Sequence, residues 1–494
     1  MKSWPKNPVI YEINTRVWLQ ELSQRYNEQI TLAKVPGDVW DSIADLGVDV
    51  IWLMGVWERS PVGTDIANQN TGILEDFHQA LPDYKPEDNV GSPYCIRQYI
   101  IDKYMGGPEG LAIARQELSM REIRLILDFV PNHVAPDHPW IVQHSEYFIQ
   151  GTADDNKDDP ASFLETGGKV FARGKDPFFP AWPDVIQLNA FHHDLREAMV
   201  EILKGIASQC DGVRCDMVML LVNSVFERTW SWRAGERPDS EYWIEVISAV
   251  RKEYPEFMFM AEVYWDMEWE LQQQGFNYCY DKRLYDRLVN DSAEDIYLHL
   301  CADIGYQQKL VRFIENHDEP RACAAFPSRR ESAAAIIMGT IPGARLFHEG
   351  QFEGRHVKLP VFLGRRPDEP ADTYIQAFYR TLLKSISQEV IRNGHWQLMD
   401  RNGWPDNQSW HNILAWGWDG FGEYNLVVVN YSDSNAQALI KLPWEDLKGK
   451  TWQIRDLFTG TIYDRNGDEM INNGLYVDLP PWGFHFMNNL KEKL

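Results

Sequence analysis

No stretch of about 18 consecutive apolar residues occurs in this chain, so no membrane-crossing helix is expected. The opening segment, MKSWPKNPVIYEI, lacks the apolar centre of a secretion signal. The six cysteines (95, 210, 215, 279, 301 and 323) show no CxxC or paired spacing. That excludes a thiolate metal centre and a disulfide framework, and reduced thiols in a cytoplasmic protein are the expectation. Positive charge is also short. Lys and Arg number 48 against 73 Asp and Glu, for a net charge of −25. Such acidity argues against a nucleic-acid or anionic-membrane partner, and solubility is its plainest meaning. Internal repeats and low-complexity tracts are absent.

What is present is a large globular chain of 494 residues, 44% hydrophobic and 24% charged. The length suits a catalytic domain with one or two smaller units. Short apolar runs alternate with helix-like segments from Val9 to about Ser387. Strands are predicted near 9–14, 50–54, 124–129, 212–216, 257–262, 276–280, 310–315 and 344–347. Helical candidates between them include 38–46, 107–120, 194–209, 239–253 and 329–338. Continuous apolar strands are those of a parallel sheet covered on both faces, and eight strand–helix units predict an α/β chain folded as a (β/α)8 TIM barrel.

The spacing is uneven in one place. From Asp128 to Asp216 the chain runs far longer than one barrel unit of about 30 residues. An inserted lobe after strand 3, residues 133–190, is therefore expected. Its Asp, Pro, Gly and Phe content reads as irregular structure over one wall of the barrel mouth. From about 395 the pattern turns to period-two strands with turn signals, predicting a C-terminal antiparallel β-sandwich over 395–494. The barrel itself is assigned to 1–132 and 191–390.

Candidate chemistry sits at the ends of the predicted strands. GVRCD (212–216) ends on Asp216, FMFMAE (257–262) on Glu262, and LVRFIENHD (310–318) on Asp318. LILDFVPNH (125–133) carries Asp128 and His133 in the same way. Carboxylates converging at one mouth of a parallel barrel suit glycosidic bond cleavage. The 20 Trp and 21 Tyr offer ring faces on which sugars stack, although most are expected in the core. By period two, Arg214 shares a face with Asp216 and can hold it ionised. The apolar flanks of Glu262 are expected to raise its pKa, as a general acid requires.

Four of these stretches, DFVPNH (128–133), GVRCD (212–216), Glu262 within AEVYW, and ENHD (315–318), resemble in order and spacing the four sequence regions of the α-amylase superfamily, glycoside hydrolase family 13. NPVIYEINTRVW, GVDVIWLM, GSPYCIRQY and AWPDVIQLN agree, so the resemblance runs from residue 8 to about 350. It implies Asp216 as nucleophile, Glu262 as acid/base and Asp318 as the third carboxylate. It implies sugar binding by Tyr94, His133, Arg214 and His317. Asp128 would hold the site together, whereas His78 and His299 fall outside the motifs and read as structural. Asn132 matches a position that often ligates calcium, so the resemblance leaves two readings open, a structural calcium ion held there or a purely structural Asn132, while the chemistry needs no cofactor. The implied partner is an α-glucan or oligosaccharide, and the oligomeric state is left open.

Departures from the family pattern narrow the expectation. Pro93 precedes Tyr94 where the family usually has glycine. Met219 and Leu220 replace a Lys-His pair found in many starch-cleaving members, which points toward short α-glucosides or oligosaccharide ends. Arg329, Arg330, Arg345, Arg355, Arg365 and Arg366 would form an anion site if they met, but separate ion pairs are the better reading. A non-catalytic barrel is the competing class, and the three carboxylates favour an enzyme. Hydrolysis, glucan transfer and isomerisation would share one glycosyl-enzyme.

Overall fold

The computed structural model describes residues 4–492. Residues 1–3 and 493–494, the outer ends of the expected barrel and sandwich ranges, lie outside the described residues. Eight strands form the barrel: β1 (Val9–Asn14), β2 (Val50–Met54), β3 (Arg124–Phe129), β4 (Gly212–Cys215), β5 (Met258–Ala261), β6 (Tyr278–Tyr280), β7 (Leu310–Arg312) and β8 (Ala344–His348). They are neighbours in chain order, with β8 closing against β1. Every residue of β1, β2, β4, β5 and β8 is buried, which is why these strands are largely apolar, with Glu12, Arg214 and Arg345 among the few charged residues they carry. Gly212 opens β4 because a Cβ there would lie 2.8 Å from the Met258 carbonyl oxygen of β5. The predicted helices are found at Gly37–Ala44, Gly107–Met120, His193–Ala207, Tyr242–Arg251 and Arg330–Thr340. Among the described residues no helix is long and apolar enough to cross a membrane.

The described chain forms two compact units. One holds Tyr11–Tyr280 with Val357–Asp368. The inserted lobe belongs to it and is more ordered than expected. His133–Val134 pair antiparallel with Ile186–Gln187, closing the neck of the lobe. Phe163–Thr166 and Lys169–Ala172 form a hairpin, and Phe148, Ile149, Phe171 and Val185 are buried inside. Strands of two to four residues leave too short a period to be read through the surrounding Asp and Gly. Segment Val357–Asp368 packs in the same unit. Val90 N–H donates to Phe362 O at 2.8 Å, and Leu363 is buried against Phe77 and Leu81.

The other unit holds the segment ending at Ile10, Asp281–His356, and the chain from Glu369 onward. Its C-terminal part has a six-stranded antiparallel sheet and a three-stranded one. Ile413, Ala415, Leu426 and Val428 of the larger sheet meet Ala436, Ala438, Ile440 and Val477 of the smaller in one apolar core. Alternate residues face the other way: the Trp416 and Trp418 indoles donate to Thr340 Oγ1 at 3.1 Å and Thr340 O at 2.7 Å. These two tryptophans fasten the sheet to helix Arg330–Thr340, whose alanines permit the close approach. His299 is structural, as expected: its Nε2 lies 3.0 Å from Asp281 Oδ2, and Asp281 also pairs with buried Arg312.

Glu331 on the same helix is 2% exposed and accepts from Cys323 Sγ at 2.9 Å and Tyr379 Oη at 3.1 Å. Burial pushes its carboxyl up from 4.5 to about 7. Between those values the folded state keeps a proton that the unfolded chain has released, so stability falls as pH rises through this window. Replacing Glu331 with Gln removes the penalty. The stability of Glu331→Gln relative to wild type should rise between about pH 5 and about pH 8, by up to roughly 3 kcal/mol. Thermal melts at the two pH values check this, and a pH-independent difference contradicts it.

Candidate active site

Asp216 and Glu262 each stand one residue beyond a barrel strand. The ladder continues through them: Asp216 N–H donates to Phe129 O at 2.8 Å, and Glu262 N–H to Cys215 O at 3.0 Å. Both side chains are buried, at 5% and 3% exposure. Between them lies Arg214, completely buried. Its Nη1 donates to Asp216 Oδ1 at 2.6 Å, and its Nη2 lies 2.8 Å from Glu262 Oε2. Three rings surround the guanidinium: Trp52 at 5.3 Å, Tyr94 at 5.2 Å and Tyr280 at 5.9 Å. Burial works against its charge, but Glu262, the two tyrosines and Asp216 together raise its pKa well above the usual arginine value.

The apolar setting expected for Glu262 holds for β5 and not for its carboxylate. Besides Arg214, Glu262 accepts from Met217 N–H on Oε2 at 2.7 Å and from Tyr264 Oη on Oε1 at 2.9 Å. Apolar flanks describe the strand, whereas these donors come from the loops after β4 and β5. Tyr264 is a site residue that the motifs did not mark. Its signal was present, since it stands two residues beyond Glu262.

Asp128 is fully buried and acts as a brace. Trp52 Nε1 donates to Oδ1 at 3.1 Å and Gly55 N–H to Oδ2 at 2.7 Å, while Trp57 Nε1 reaches its carbonyl at 2.8 Å. Gly55 has φ +76°, and a Cβ there would come 2.6 Å from Pro93 Cβ. Glycine at 55 thus makes room for proline at 93, and Tyr94 still reaches Arg214. His133 is buried, and burial lowers its pKa while the charge of Asp216 and a bond to the Tyr94 backbone oppose that.

The first unit therefore gathers Asp216, Glu262, Arg214, Tyr94 and His133. The second unit pairs the remaining two candidates. His317 Nε2 lies 3.0 Å from Asp318 Oδ2, with His317 buried and the Asp318 side chain 42% exposed. β7 ends at Arg312, earlier than the predicted 315, and Asp318 sits on the loop beyond it. Asn316 Oδ1 shapes that loop by accepting from the N–H groups of Asp318 and Glu319, both at 2.9 Å. Glu315 anchors it, accepting from Arg321 Nη1 at 2.6 Å and Ala322 N–H at 2.7 Å.

Met219 and Leu220 lie on a short 3-10 turn, Val218–Leu221, and are 0% and 3% exposed. They fill core rather than line an open subsite. Four of the six arginines have separate partners, two of them in ion pairs and two on backbone carbonyls. Arg365 pairs with Asp88 at 2.7 Å, Arg366 with Glu21 at 3.0 Å, Arg345 donates to Asn7 O at 3.2 Å, and Arg330 to Leu288 O at 2.6 Å.

The calcium implied at Asn132 does not fit its surroundings. Asn132 Oδ1 and O each accept from Gln187 Nε2 at 2.9 Å, and Leu188 O accepts from it at 3.0 Å. Three oxygens thus converge on an N–H donor, with no carboxylate among them. Calcium takes six to eight oxygen ligands, several of them charged. Among the described residues, the one His/Asp/Glu grouping tight enough for a metal is His193, Asp194 and Glu197, all exposed and not including Asn132.

The barrel with carboxylates beyond its strands defines the class, and comparison with known proteins gives the family. The family model described as "Alpha amylase, catalytic domain" matches residues 38–415, and the chain belongs to the alpha-amylase family. It is 24% identical over 393 residues to the alpha-amylase MalA of Haloarcula japonica, covering 77% of this chain and 48% of that protein. It is 22% identical over 390 residues to alpha-amylase 3 of Dictyoglomus thermophilum, covering 74% and 66%. The chain thus spans about half to two thirds of the length of these relatives. A maltogenic alpha-amylase, AmyB of Thermotoga neapolitana, shares the fold with a TM-score of 0.69 at 18% identity, over 98% of this chain and 99% of that one.

Calcium dependence is expected to be absent. Adding a chelator or calcium should leave the melting temperature unchanged. Gln187→Glu, which replaces the central donor with a charged oxygen among the same carbonyls, should melt lower in chelator and recover with calcium. A wild-type melting temperature that drops in chelator would contradict this reading.

Proposed function

We propose that the protein is an α-retaining glycoside hydrolase that acts on α-glucosidic bonds of short oligosaccharides or glucan ends. The observation that carries this is one guanidinium, Arg214, held by two carboxylates from adjacent strands. Two carboxyl groups that share a guanidinium suit the short separation, about 5–5.5 Å, used for covalent double displacement.

In the first step Asp216 attacks the anomeric carbon, and its oxygen forms the glycosyl ester as the glycosidic C–O bond breaks. Glu262 gives its proton to the departing oxygen. Ester formation leaves Asp216 uncharged, and the Arg214 guanidinium then pairs with Glu262 alone. In that form Glu262 takes a proton from water, whose oxygen attacks the anomeric carbon and returns Asp216 as carboxylate. Tyr264 and the Met217 N–H fix the plane of the Glu262 carboxyl through both steps. The sugar-binding roles that the family resemblance gives to His133 and Tyr94 in the first unit, and to Asp318 and His317 in the second, are to hold the sugar and favour its distorted, oxocarbenium-like form.

Met219 and Leu220 stand where many starch-cleaving members carry a Lys-His pair; buried in the core, they bring no polar group to a glucose unit beyond the cleavage point, and this supports the preference for short chains.

Products from maltotriose to maltoheptaose and from soluble starch test the reading. Release of short sugars, with kcat/KM on oligosaccharides above that on starch, is expected. Asp216→Asn should lower kcat by about 10³-fold or more while the fold persists, because the amide oxygen still accepts from Arg214 and Glu262 still neutralises it. Near-wild-type turnover by Asp216→Asn would overturn the assignment, and random internal cleavage of starch would overturn the chain-length preference.

A further inference from the structure

A cavity of about 550 Å³ lies within the second unit, between helices Arg330–Thr340 and Thr373–Ile386 and the edge of the C-terminal sheets. None of its lining residues belongs to the catalytic constellation. The volume falls within the roughly 300–1,000 Å³ of small-molecule sites. Its floor is aromatic: Phe378, Phe458 and Phe484 pack at centroid distances of 5.4, 6.1 and 5.0 Å. Tyr374, 63% exposed, and Trp482 add ring surface at the wall. Trp482 stands edge-on to Tyr431 at 5.0 Å and holds φ at +55°, a conformation that a side chain adopts only at a cost.

Polar groups of both kinds face the same space. His485 Nδ1 lies 2.7 Å from Asp456 Oδ2, which leaves Nε2 for a further partner. Arg329 and Asp478 put one charge of each sign on the lining. The opposed pair favours neither an anion nor a cation. Apolar ring faces with scattered donors and acceptors match an amphipathic ring that has C–H faces and an equatorial belt of hydroxyls.

We propose that this cavity is a second carbohydrate-binding site, which takes two or three glucose units of an α-glucan and holds the chain without cleaving it. The identity of the sugar rests on the function proposed above, and the geometry of the cavity does not. Glucose rings would stack on Tyr374 and Trp482, with hydroxyls bonded to His485 and Arg329.

Calorimetric titration with maltotriose, in the Asp216→Asn background to stop turnover, should show two classes of site. The double variant Tyr374→Ala/Arg329→Ala alters two exposed side chains and leaves the core intact. It should weaken one class about tenfold, or about 1.4 kcal/mol, and leave kcat/KM on a short chromogenic maltoside unchanged in the otherwise wild-type enzyme. Without any substitution, saturating maltotriose should slow amide exchange across 458–461 and 480–485. An unchanged isotherm in the double variant, or no protection of those segments, overturns the proposal. Normal cleavage of the maltoside with a silent cavity defeats this inference alone. Maltotriose held in the cavity by a protein that cleaves no glucoside defeats the proposed function alone.

Discussion

Arg214 is a full positive charge with no access to water, and the site is arranged around neutralising it. Desolvating such an ion costs several kcal/mol, and only close, well-aligned counter-charges offset that. Asp216 at 2.6 Å and Glu262 at 2.8 Å do so, one on each terminal nitrogen. The rings of Trp52, Tyr94 and Tyr280 add their electron-rich faces. The same contacts that make the arginine tolerable fix the two carboxylates relative to each other. Stability and catalytic spacing are therefore one constraint.

That constraint reaches into the barrel. Arg214 is in register with Asp128 of β3 and Met260 of β5. Asp128 in turn is held by Trp52 of β2 and the N–H of Gly55. Three parallel strands and one loop thus share a hydrogen-bonded layer at the carboxyl end of the barrel, where such folds carry their chemistry. Gly212 lets β4 approach β5 closely enough for the ladder to run on into Glu262. The pairing of His133–Val134 with Ile186–Gln187 closes the inserted lobe beside this layer, and Gln187 ties Asn132 with a neutral amide.

Much of this is legible from residue order. Largely apolar runs mark the eight strands, because burial on both faces leaves little polar alternation. Asp216 and Glu262 are visible as carboxylates that end such runs, and Arg214 follows from period two. The lobe reads wrongly as irregular because its strands are too short to show a period among Asp and Gly. The surroundings of Glu262 read wrongly as apolar because its donors, Met217 and Tyr264, lie on loops whose path depends on the whole barrel. Of the two readings open for Asn132, the structural one is favoured by Gln187, which is 55 residues away in sequence and bonded to it in space.

The central claim is that Arg214 holds a nucleophile and an acid/base in the spacing of a retaining enzyme. The most direct measurement is the anomeric form of the first product, followed by proton NMR on maltotriose before mutarotation. The account predicts that the α-anomer appears first and that the β-anomer grows in only as the sugar equilibrates. Initial release of the β-anomer would mean a single displacement by water, and would contradict Asp216 as the nucleophile.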